Sequence, residues 1–322
     1  MTTNIVFDAH SCLPLSPHTS IQTLHRYHKM GVRYISINIG MDCNPISQIM
    51  NVISSFRAQI KEDTILCFAD NIQEIQKAIC NDQLAVAFDL EGAVPLQDNL
   101  DMVSLYKRLG VRQIHFAYNR NNSIAGGCHD KTQGLTQLGK AMLDRVQEEN
   151  LLMDMSHNSI RTTLDICAYA TKPVLFSHSN AFSLVPHPRN ITDEQIKACA
   201  QTKGIICVNG VGRFLGEATT ENFAHHCAYI ADLVGWEYVG MGLDTMLDQA
   251  GIEDMPRDIN LAYWWPKEHY PQRIGTSSYL QPEDIPDIHQ SLLQIGFHQH
   301  ECDGILYKNL FDLFERMNLG AD

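Results

Sequence analysis

The sequence predicts an α/β protein, a (β/α)₈ TIM barrel with a C-terminal helical extension, from three observations. Short apolar runs recur along the chain, helix-like segments separate them, and polar residues follow several of the runs. A run that is apolar on both faces is typical of a buried parallel strand that is covered by helices. Eight runs have this character: 5–7, 32–39, 84–90, 111–117, 151–155, 173–176, 204–208 and 238–242.

Two of the intervening segments carry clear helix signals. Residues 136–149 place Leu138, Met142 and Val146 at four-residue spacing, and Thr192 precedes two acidic residues as a helix start would. Repeated strand–helix units indicate a parallel sheet, and eight such units favour a closed barrel. An open doubly wound sheet fits the same pattern, although no Gly-x-Gly-x-x-Gly motif follows the first run.

We expect residues 1–322 to form a single barrel domain. Length alone would suggest about two domains, but barrels of this type commonly use about 250 residues as one unit. A further apolar run at 65–68 is a candidate extra strand. Residues 247–284 hold two tryptophans, several prolines and mixed charge, which predicts a long loop over one barrel face, with helices following at about 285–317.

Composition narrows the classes of function. The net charge is −13, from 24 basic and 37 acidic residues, which argues against binding to nucleic acid or to an anionic membrane surface. No stretch approaches the ~20 apolar residues of a membrane span. The 10 cysteines form no Cys-x-x-Cys pair and no secretion signal precedes them, so we expect free thiols and a cytoplasmic protein rather than a disulfide-linked secreted domain.

Histidines and carboxylates follow five of the predicted strands. His10, Glu91, His157, His178 and Asp244 each stand at or just after the end of an apolar run. Residues at the carboxyl ends of barrel strands converge on one site, and imidazole and carboxylate are the ligands of Zn²⁺ and its neighbours. Two such ions can share a hydroxide near neutral pH, and Asp244 is placed to relay its proton.

Each of these residues also has a structural interpretation. A single histidine at a strand end is more often a hydrogen-bonded structural residue than a ligand, but three at successive strand ends support one another. Glu91 ends an apolar run and would be costly to bury there without a partner. The remaining histidines lie in helix-like or loop contexts, and we expect a solvated surface position for His25, His28, His225, His226, His298 and His300.

Eight segments form a set that is more specific than any one of them. They are DAH at 8–10, DLEG at 89–92, LGVR at 109–112, GLT at 134–136, MDMSH at 153–157, SHSNA at 177–181, HPRN at 187–190 and GMGLD at 240–244. With this set the chain resembles the membrane dipeptidase family, also called renal dipeptidases, of the metal-dependent amidohydrolase superfamily. The resemblance runs from His10 to about Asn309.

The resemblance implies a barrel with two zinc ions that hydrolyses dipeptides, often with a D-residue at the C-terminal position. By the family pattern, His10 binds one metal ion, Glu91 bridges both, and His157 and His178 bind the other. Asp244 would be the proton shuttle. Arg189 would hold the carboxylate of the substrate through two parallel hydrogen bonds.

Two positions depart from the family pattern. The family has His-x-Asp in its first motif, whereas this chain has His10-Ser11-Cys12. Cys12 either binds zinc as a thiolate, or packs as a buried thiol and leaves a site with one zinc ion. The family also has a histidine that contacts the reacting carbonyl, and Tyr118 stands in its place. A phenol donates a hydrogen bond but cannot carry a positive charge.

The sequence therefore favours a metallo-dipeptidase whose partner is a small dipeptide-like substrate, and it leaves a homodimer open. A hydrolase of a specialised amide or a processed peptide is the first alternative, with Cys12 and Tyr118 as adaptations. A metal-binding or scaffold barrel without activity is the second. The presence of Arg189 and Asp244 disfavours the scaffold, because a decayed site has no need of a carboxylate clamp or a proton shuttle.

Overall fold

A computed structural model describes residues 5–130, 132–247, 255–256, 258–271 and 277–321 of the chain. Its strands are β1 (Val6–Ser11), β2 (Val32–Met41), β3 (Leu66–Phe68), β4 (Leu84–Glu91), β5 (Val111–His115), β6 (Leu152–Asp154), β7 (Leu175–Phe176), β8 (Ile205–Val208) and β9 (Val239–Met241). Eight of them follow one another in the order β1-β2-β4-β5-β6-β7-β8-β9, with every pairing parallel. This nearly closed parallel barrel confirms the predicted fold class.

Each of the eight predicted runs overlaps one barrel strand, and the candidate extra strand is β3. β3 pairs with the first three residues of β4, and β5 pairs with the remainder of β4 from Phe88 onwards. Every residue of β1, β2, β4 and β5 is buried, as expected for strands that helices cover on the outside. The doubly apolar pattern of the runs is therefore a consequence of burial on both faces of the sheet.

Helices alternate with the strands and cover the outside of the barrel. Thr136 caps the helix that begins at Gln137, and Thr192 caps the helix that begins at Asp193, where Gln195 completes a reciprocal capping box. The sequence predicted a helix in both segments. Within the described residues, no helix has the length and apolarity that crossing a bilayer requires. The helices are α1 (His25–Lys29), α2 (Ile46–Glu62), α3 (Ile72–Cys80), α4 (Asp101–Arg108), α5 (Gln137–Glu148), α6 (Ile160–Tyr169), α7 (Asp193–Gln201), α8 (Gly212–Leu215), α9 (Thr220–Val234), α10 (Leu261–Trp264), α11 (Ile285–Ile295), α12 (Gln299–Asp303) and α13 (Asn309–Met317).

The carboxyl ends of β1 and β9 are joined by a side chain as well as by the backbone. Asp8 Oδ1 accepts hydrogen bonds from the backbone N–H of Leu243 at 2.9 Å and of His10 at 3.2 Å. The N–H of Asp244 donates to the carbonyl of His10 at 2.8 Å. These bonds bring the segment after the last strand against the end of the first one, so His10 and Asp244 become neighbours although 233 positions separate them in the chain.

Two predictions about individual residue types can be compared with the structure. All 10 cysteines are free thiols, as expected. The predicted surface position of His226 is wrong, because its side chain is buried and Nδ1 accepts a hydrogen bond from the backbone N–H of Ala181. Helix α9 turns this histidine inward, and a polar group buried there requires such a partner.

We expect Phe7→Ala to lower the free energy of unfolding by about 3–5 kcal/mol, because it would leave a cavity in a close-packed aromatic cluster. Phe7 is buried, with ring centroids of Tyr34, Tyr307 and Phe314 at 5.2, 4.9 and 6.0 Å. Chemical denaturation of both proteins measures the difference. The matched control is Phe182→Ala at an exposed position, which should change stability by less than about 0.5 kcal/mol. Equal effects of the two substitutions would contradict this account of the core.

Candidate functional site

The polar side chains that follow the strands meet at one end of the barrel. His10 is the penultimate residue of β1, and Glu91 is the final residue of β4. His157, His178 and Asp244 follow β6, β7 and β9. Since all eight barrel strands are parallel, their carboxyl ends lie on the same face, and the structure brings these five predicted residues together there.

One carboxylate oxygen lies at the centre of this cluster. Glu91 Oε1 is 3.0 Å from Nε2 of His157, 3.2 Å from Nε2 of His178 and 3.5 Å from Nε2 of His10. The two nitrogens of His157 and His178 are themselves 3.1 Å apart. The second oxygen of Glu91 accepts a hydrogen bond from Asn38 Nδ2, which holds the carboxylate in this orientation.

The hydrogen bonds of His157 determine which of its ring nitrogens is free. Asn119 Nδ2 donates to the carbonyl of Trp264 at 3.1 Å, which directs Asn119 Oδ1 towards Nδ1 of His157 at 2.7 Å. An amide oxygen only accepts, so Nδ1 carries the proton and Nε2 presents its lone pair to Glu91. An unprotonated nitrogen and a carboxylate oxygen at 3.0 Å repel each other unless a cation or a proton lies between them.

His10 and Cys12 form the second half of the cluster. His10 Nδ1 is 3.3 Å from Asp89 Oδ1, and Ser36 Oγ donates to the other oxygen of Asp89 at 2.7 Å. The opposite nitrogen, His10 Nε2, lies 3.5 Å from Cys12 Sγ and 3.7 Å from Asp244 Oδ1. A carboxylate behind the distal nitrogen of an imidazole is the usual support of a histidine that ligates a metal ion.

Burial and neighbouring charges shift the pKa values of these groups in opposite directions. Burial raises the pKa of Glu91 to about 7 and also raises that of Asp244. Burial and the charge of nearby Arg189 and other histidines hold the pKa values of His157 and His178 well below the usual range. Burial alone would lower the pKa of His10 too, but Asp89 and Glu91 outweigh it and raise that pKa.

Three residues of the site adopt a left-handed backbone conformation. The φ angles of Asn119, His157 and Asp244 are 62°, 68° and 53°. Such a conformation costs roughly 1–3 kcal/mol for a residue other than glycine and clusters at functional sites. Here it occurs where each chain segment leaves its strand and turns a polar side chain into the cluster, so the backbone strain serves to position the side chains.

The sequence analysis assigned no role to His115 and Asp154, which lie beneath the cluster. His115 Nδ1 faces the carbonyl of Leu90 at 2.8 Å and its Nε2 lies 2.8 Å from Asp154 Oδ2, both residues being fully buried. Burial lowers the pKa of His115, but Asp154 outweighs this effect and raises it. The signal was present in the sequence, because a histidine and an aspartate inside apolar runs each need a buried partner.

A cavity opens above the cluster. Cys12, Glu91, His157 and Asp244 form its floor. The walls are largely aromatic and apolar, with a few polar side chains, which is typical of a small-molecule site. The other residues that line it include Tyr118, Arg189, Arg213, Phe214, Trp265 and Tyr270.

The two residues predicted to bind substrate, Tyr118 and Arg189, both line this cavity. The ring of Tyr118 packs on that of His157 with centroids 4.5 Å apart, and burial raises the pKa of its phenol well above the usual value. Arg189 is buried; Nη2 donates to the carbonyl of His178 at 2.9 Å, while Nε has no hydrogen-bond partner. A neutral phenol and a guanidinium with a free N–H therefore face the space above the cluster.

The donor set fits metal ions. Glu91, His157 and His178 form one group with ligand atoms within 4.8 Å of one another, and His10, Cys12 and Glu91 form another. The lone pair of His157 Nε2, the Nε2 of His178 and a carboxylate oxygen face one another at about 3 Å, an arrangement that a divalent cation stabilises. Glu91 belongs to both groups, so a bridging carboxylate is compatible with this geometry.

Comparison with known proteins finds a family and a relative that are similar in sequence, and solved structures that are similar in fold. Residues 46–261 match the family described as membrane dipeptidase, peptidase family M19. The chain is 32% identical over 192 residues to the uncharacterized dipeptidase C965.12 of Schizosaccharomyces pombe. That region is 55% of this chain and 46% of the relative, so the chain spans about half the length of the curated protein that it matches.

Two solved structures share the fold over nearly the whole chain. An amidohydrolase from Pseudomonas aeruginosa superposes with a TM-score of 0.85 at 20% identity, over 98% of this chain and 96% of its own. A metallopeptidase from Rhodobacter sphaeroides, liganded with a phosphinate mimic of the dipeptide L-Ala-D-Ala, gives a TM-score of 0.78 at 17% identity, over 98% and 99%. Both similarities concern the fold.

We expect His178→Ala to lower the zinc content of the purified protein by about one ion per chain, because the variant lacks one of three ligands of a site. Elemental analysis of protein purified without a histidine tag measures the content. His225→Ala, at an exposed position on α9, is the matched control and should bind as much zinc as the unsubstituted protein. Undiminished zinc in His178→Ala would remove this residue from the ligand set.

We expect the Cys12 thiol to resist alkylation in the zinc-loaded protein and to react after chelation, because a cation deprotonates and occupies a ligating thiol. Peptide mass spectrometry reads each cysteine separately. Exposed Cys80 on α3 is the internal control and should react equally in both states. Cys12→Ser should also lower the zinc content. Equal alkylation of Cys12 with and without chelator, together with unchanged zinc in the serine variant, would leave Cys12 as a packing residue.

Proposed function

This chain belongs to the membrane dipeptidase family, peptidase family M19, and from that premise we propose that it hydrolyses the amide bond of a dipeptide or dipeptide-like compound. The observation that carries the proposal is the cluster around Glu91 Oε1, where the unprotonated Nε2 of His157 and the Nε2 of His178 face a carboxylate. Asp244 and Arg189 border the same cavity. The residues proposed for catalysis and those proposed for substrate binding thus line one cavity, whose mainly apolar wall is typical of a small-molecule site.

We propose zinc as the metal. His157, His178 and Glu91 would hold one ion, and His10, Cys12 and Glu91 would hold a second; without Cys12 as a ligand, one ion would remain. Zinc bound in such a site polarises a carbonyl group and lowers the pKa of water. The protein contributes the orientation of the ligands, through Asn119 at His157 and through the carboxylate behind His10.

Asp244 has the position of a general base and acid. Its Oδ1 lies 3.7 Å from both His10 Nε2 and Cys12 Sγ, at the floor of the cavity. Burial raises its pKa, so this carboxylate binds a proton more readily than an exposed aspartate does. We assign to Asp244 the removal of a proton from the attacking water and its delivery to the leaving amine.

Arg189 and Tyr118 would orient the substrate. Arg189 makes its two hydrogen bonds with protein acceptors through its Nη atoms, so the guanidinium keeps further N–H groups that can bind a carboxylate. Tyr118 packs against His157, and its protonated phenol can donate to the oxyanion that develops at the reacting carbonyl. Tyr118 therefore stabilises charge by a hydrogen bond alone, whereas a histidine in its place could also contribute a positive charge.

A specialised amide is a second candidate substrate. It is favoured by Cys12 and Tyr118, the two positions where the site departs from the family pattern, and by the mainly apolar and aromatic cavity wall. A scaffold without activity is disfavoured, because Glu91, His157, Arg189 and Asp244 all line the same cavity.

The experiment that tests the proposed function compares dipeptides with free and amidated C-termini. We expect the zinc-loaded protein to cleave Ala-Ala and to cleave its amide poorly, because Arg189 holds the free carboxylate. Arg189→Lys should lower kcat/KM for Ala-Ala by roughly tenfold or more, since an ammonium cannot make two parallel charged hydrogen bonds. Arg161→Lys is the matched control at an exposed surface pair with Asp165. Equal rates on free and amidated substrates would contradict the clamp, and no hydrolysis of any dipeptide would contradict the function.

A further inference from the structure

A second guanidinium lines the same cavity as Arg189. Arg213 lies in the short helix α8, and its Nη2 donates to Ser277 Oγ at 3.2 Å. Its Cζ lies 5.0 Å from the centroid of the Tyr270 ring, so the planar group stacks on an aromatic face. Its Nη1 is buried and has no hydrogen-bond partner. The family pattern and the proposed catalytic roles leave this residue unexplained.

Neither arginine of the cavity has an acidic partner. Among the residues that the structure describes, the hydrogen bonds of Arg189 and Arg213 go to carbonyl and hydroxyl oxygens and to no carboxylate. Each keeps one buried N–H unsatisfied, Nε in Arg189 and Nη1 in Arg213. A buried positive charge without a counter-charge is costly, and the chain carries a net charge of −13, so acidic residues are abundant elsewhere.

The two guanidinium groups share one wall of the cavity. Arg189 Cζ lies 5.7 Å from the ring of Phe214, the residue that directly follows Arg213. His187 contacts both Phe214 and Tyr270, with ring centroids at 4.8 and 5.4 Å. Burial lowers the pKa of His187 to about 4, and the charges of Arg189 and Arg213 both act in the same direction. Two cations thus approach the same group of rings from within one binding space.

We propose that Arg213 is a specificity-determining residue that binds a second carboxylate of the substrate, so that the preferred substrates are dipeptides with glutamate or aspartate at the C-terminus. This inference rests on the proposed function, in which Arg189 holds the C-terminal carboxylate. The side-chain carboxylate of the same residue then reaches the neighbouring guanidinium. A dianionic residue compensates both charges and supplies carboxylate acceptors for the two guanidinium groups that line the cavity.

The test compares Ala-Glu with Ala-Gln, which differ by the charge of one group of nearly equal size. We expect the zinc-loaded protein to show a kcat/KM ratio of roughly tenfold to hundredfold in favour of Ala-Glu, the range of a charged hydrogen bond in a buried site. Arg213→Met should reduce this ratio to near unity, and Arg213→Lys, which keeps the charge, should retain part of it. Arg316→Met, at an exposed residue of α13, should leave the ratio unchanged.

The outcomes separate this inference from the function on which it rests. If the unsubstituted protein cleaves Ala-Glu and Ala-Gln equally well, or if Arg213→Met keeps the full ratio, the role of Arg213 is overturned while the dipeptidase proposal stands. If the zinc-loaded protein cleaves neither these peptides nor Ala-Ala, both fail. The ratio in the unsubstituted protein needs no variant, so an unstable Arg213→Met still leaves the inference open to refutation.

Discussion

The site depends on a single carboxylate oxygen that three imidazole nitrogens approach. Glu91 Oε1 lies within 3.0 to 3.5 Å of the Nε2 atoms of His157, His178 and His10. The unprotonated Nε2 of His157 and this oxygen are both acceptors, and they repel each other in a buried space, where charges are poorly screened. The fold must therefore hold these two groups together against repulsion, and a divalent cation reverses the sign of that interaction. Metal binding and the stability of this end of the barrel are then linked.

A surrounding layer of polar contacts holds the ligands in place. Asn119 fixes the protonated nitrogen of His157, Asn38 holds the far oxygen of Glu91, and Asp89 stands behind His10. Asp8 ties the segment after β9 to the end of β1 and so places Asp244 over the cluster. These contacts decide how each side chain of the cluster is oriented, which is what a metal site requires of its support.

Above the cluster, the cavity combines aromatic walls with two cations. Tyr118 and Trp265 give the space over Glu91 an aromatic lining, and their ring centroids lie 5.9 Å apart. Low local polarity strengthens the contacts of charged groups. In the proposed function, the two arginines of the wall would therefore contribute strongly to the choice of substrate. In the proposed function, the departures at Cys12 and Tyr118 would affect the ligand set and the reacting carbonyl, whereas Arg213 would contact the part of the substrate away from the scissile bond.

The sequence by itself determined the repeated strand–helix units and the candidate ligands, because doubly apolar runs and the residues at their ends are local patterns, and His10, Glu91, His157 and His178 all stand at or just after the ends of such runs. Only the tertiary structure decided what surrounds them. Contacts between distant segments decide three features of the site and its surroundings. They are the pairing of His115 with Asp154, the burial of His226, and the position of Arg213 in the same cavity as Arg189. Periodicity states which face of an element is buried, but not which partner lies opposite, and the chemistry of a site is a property of those partners.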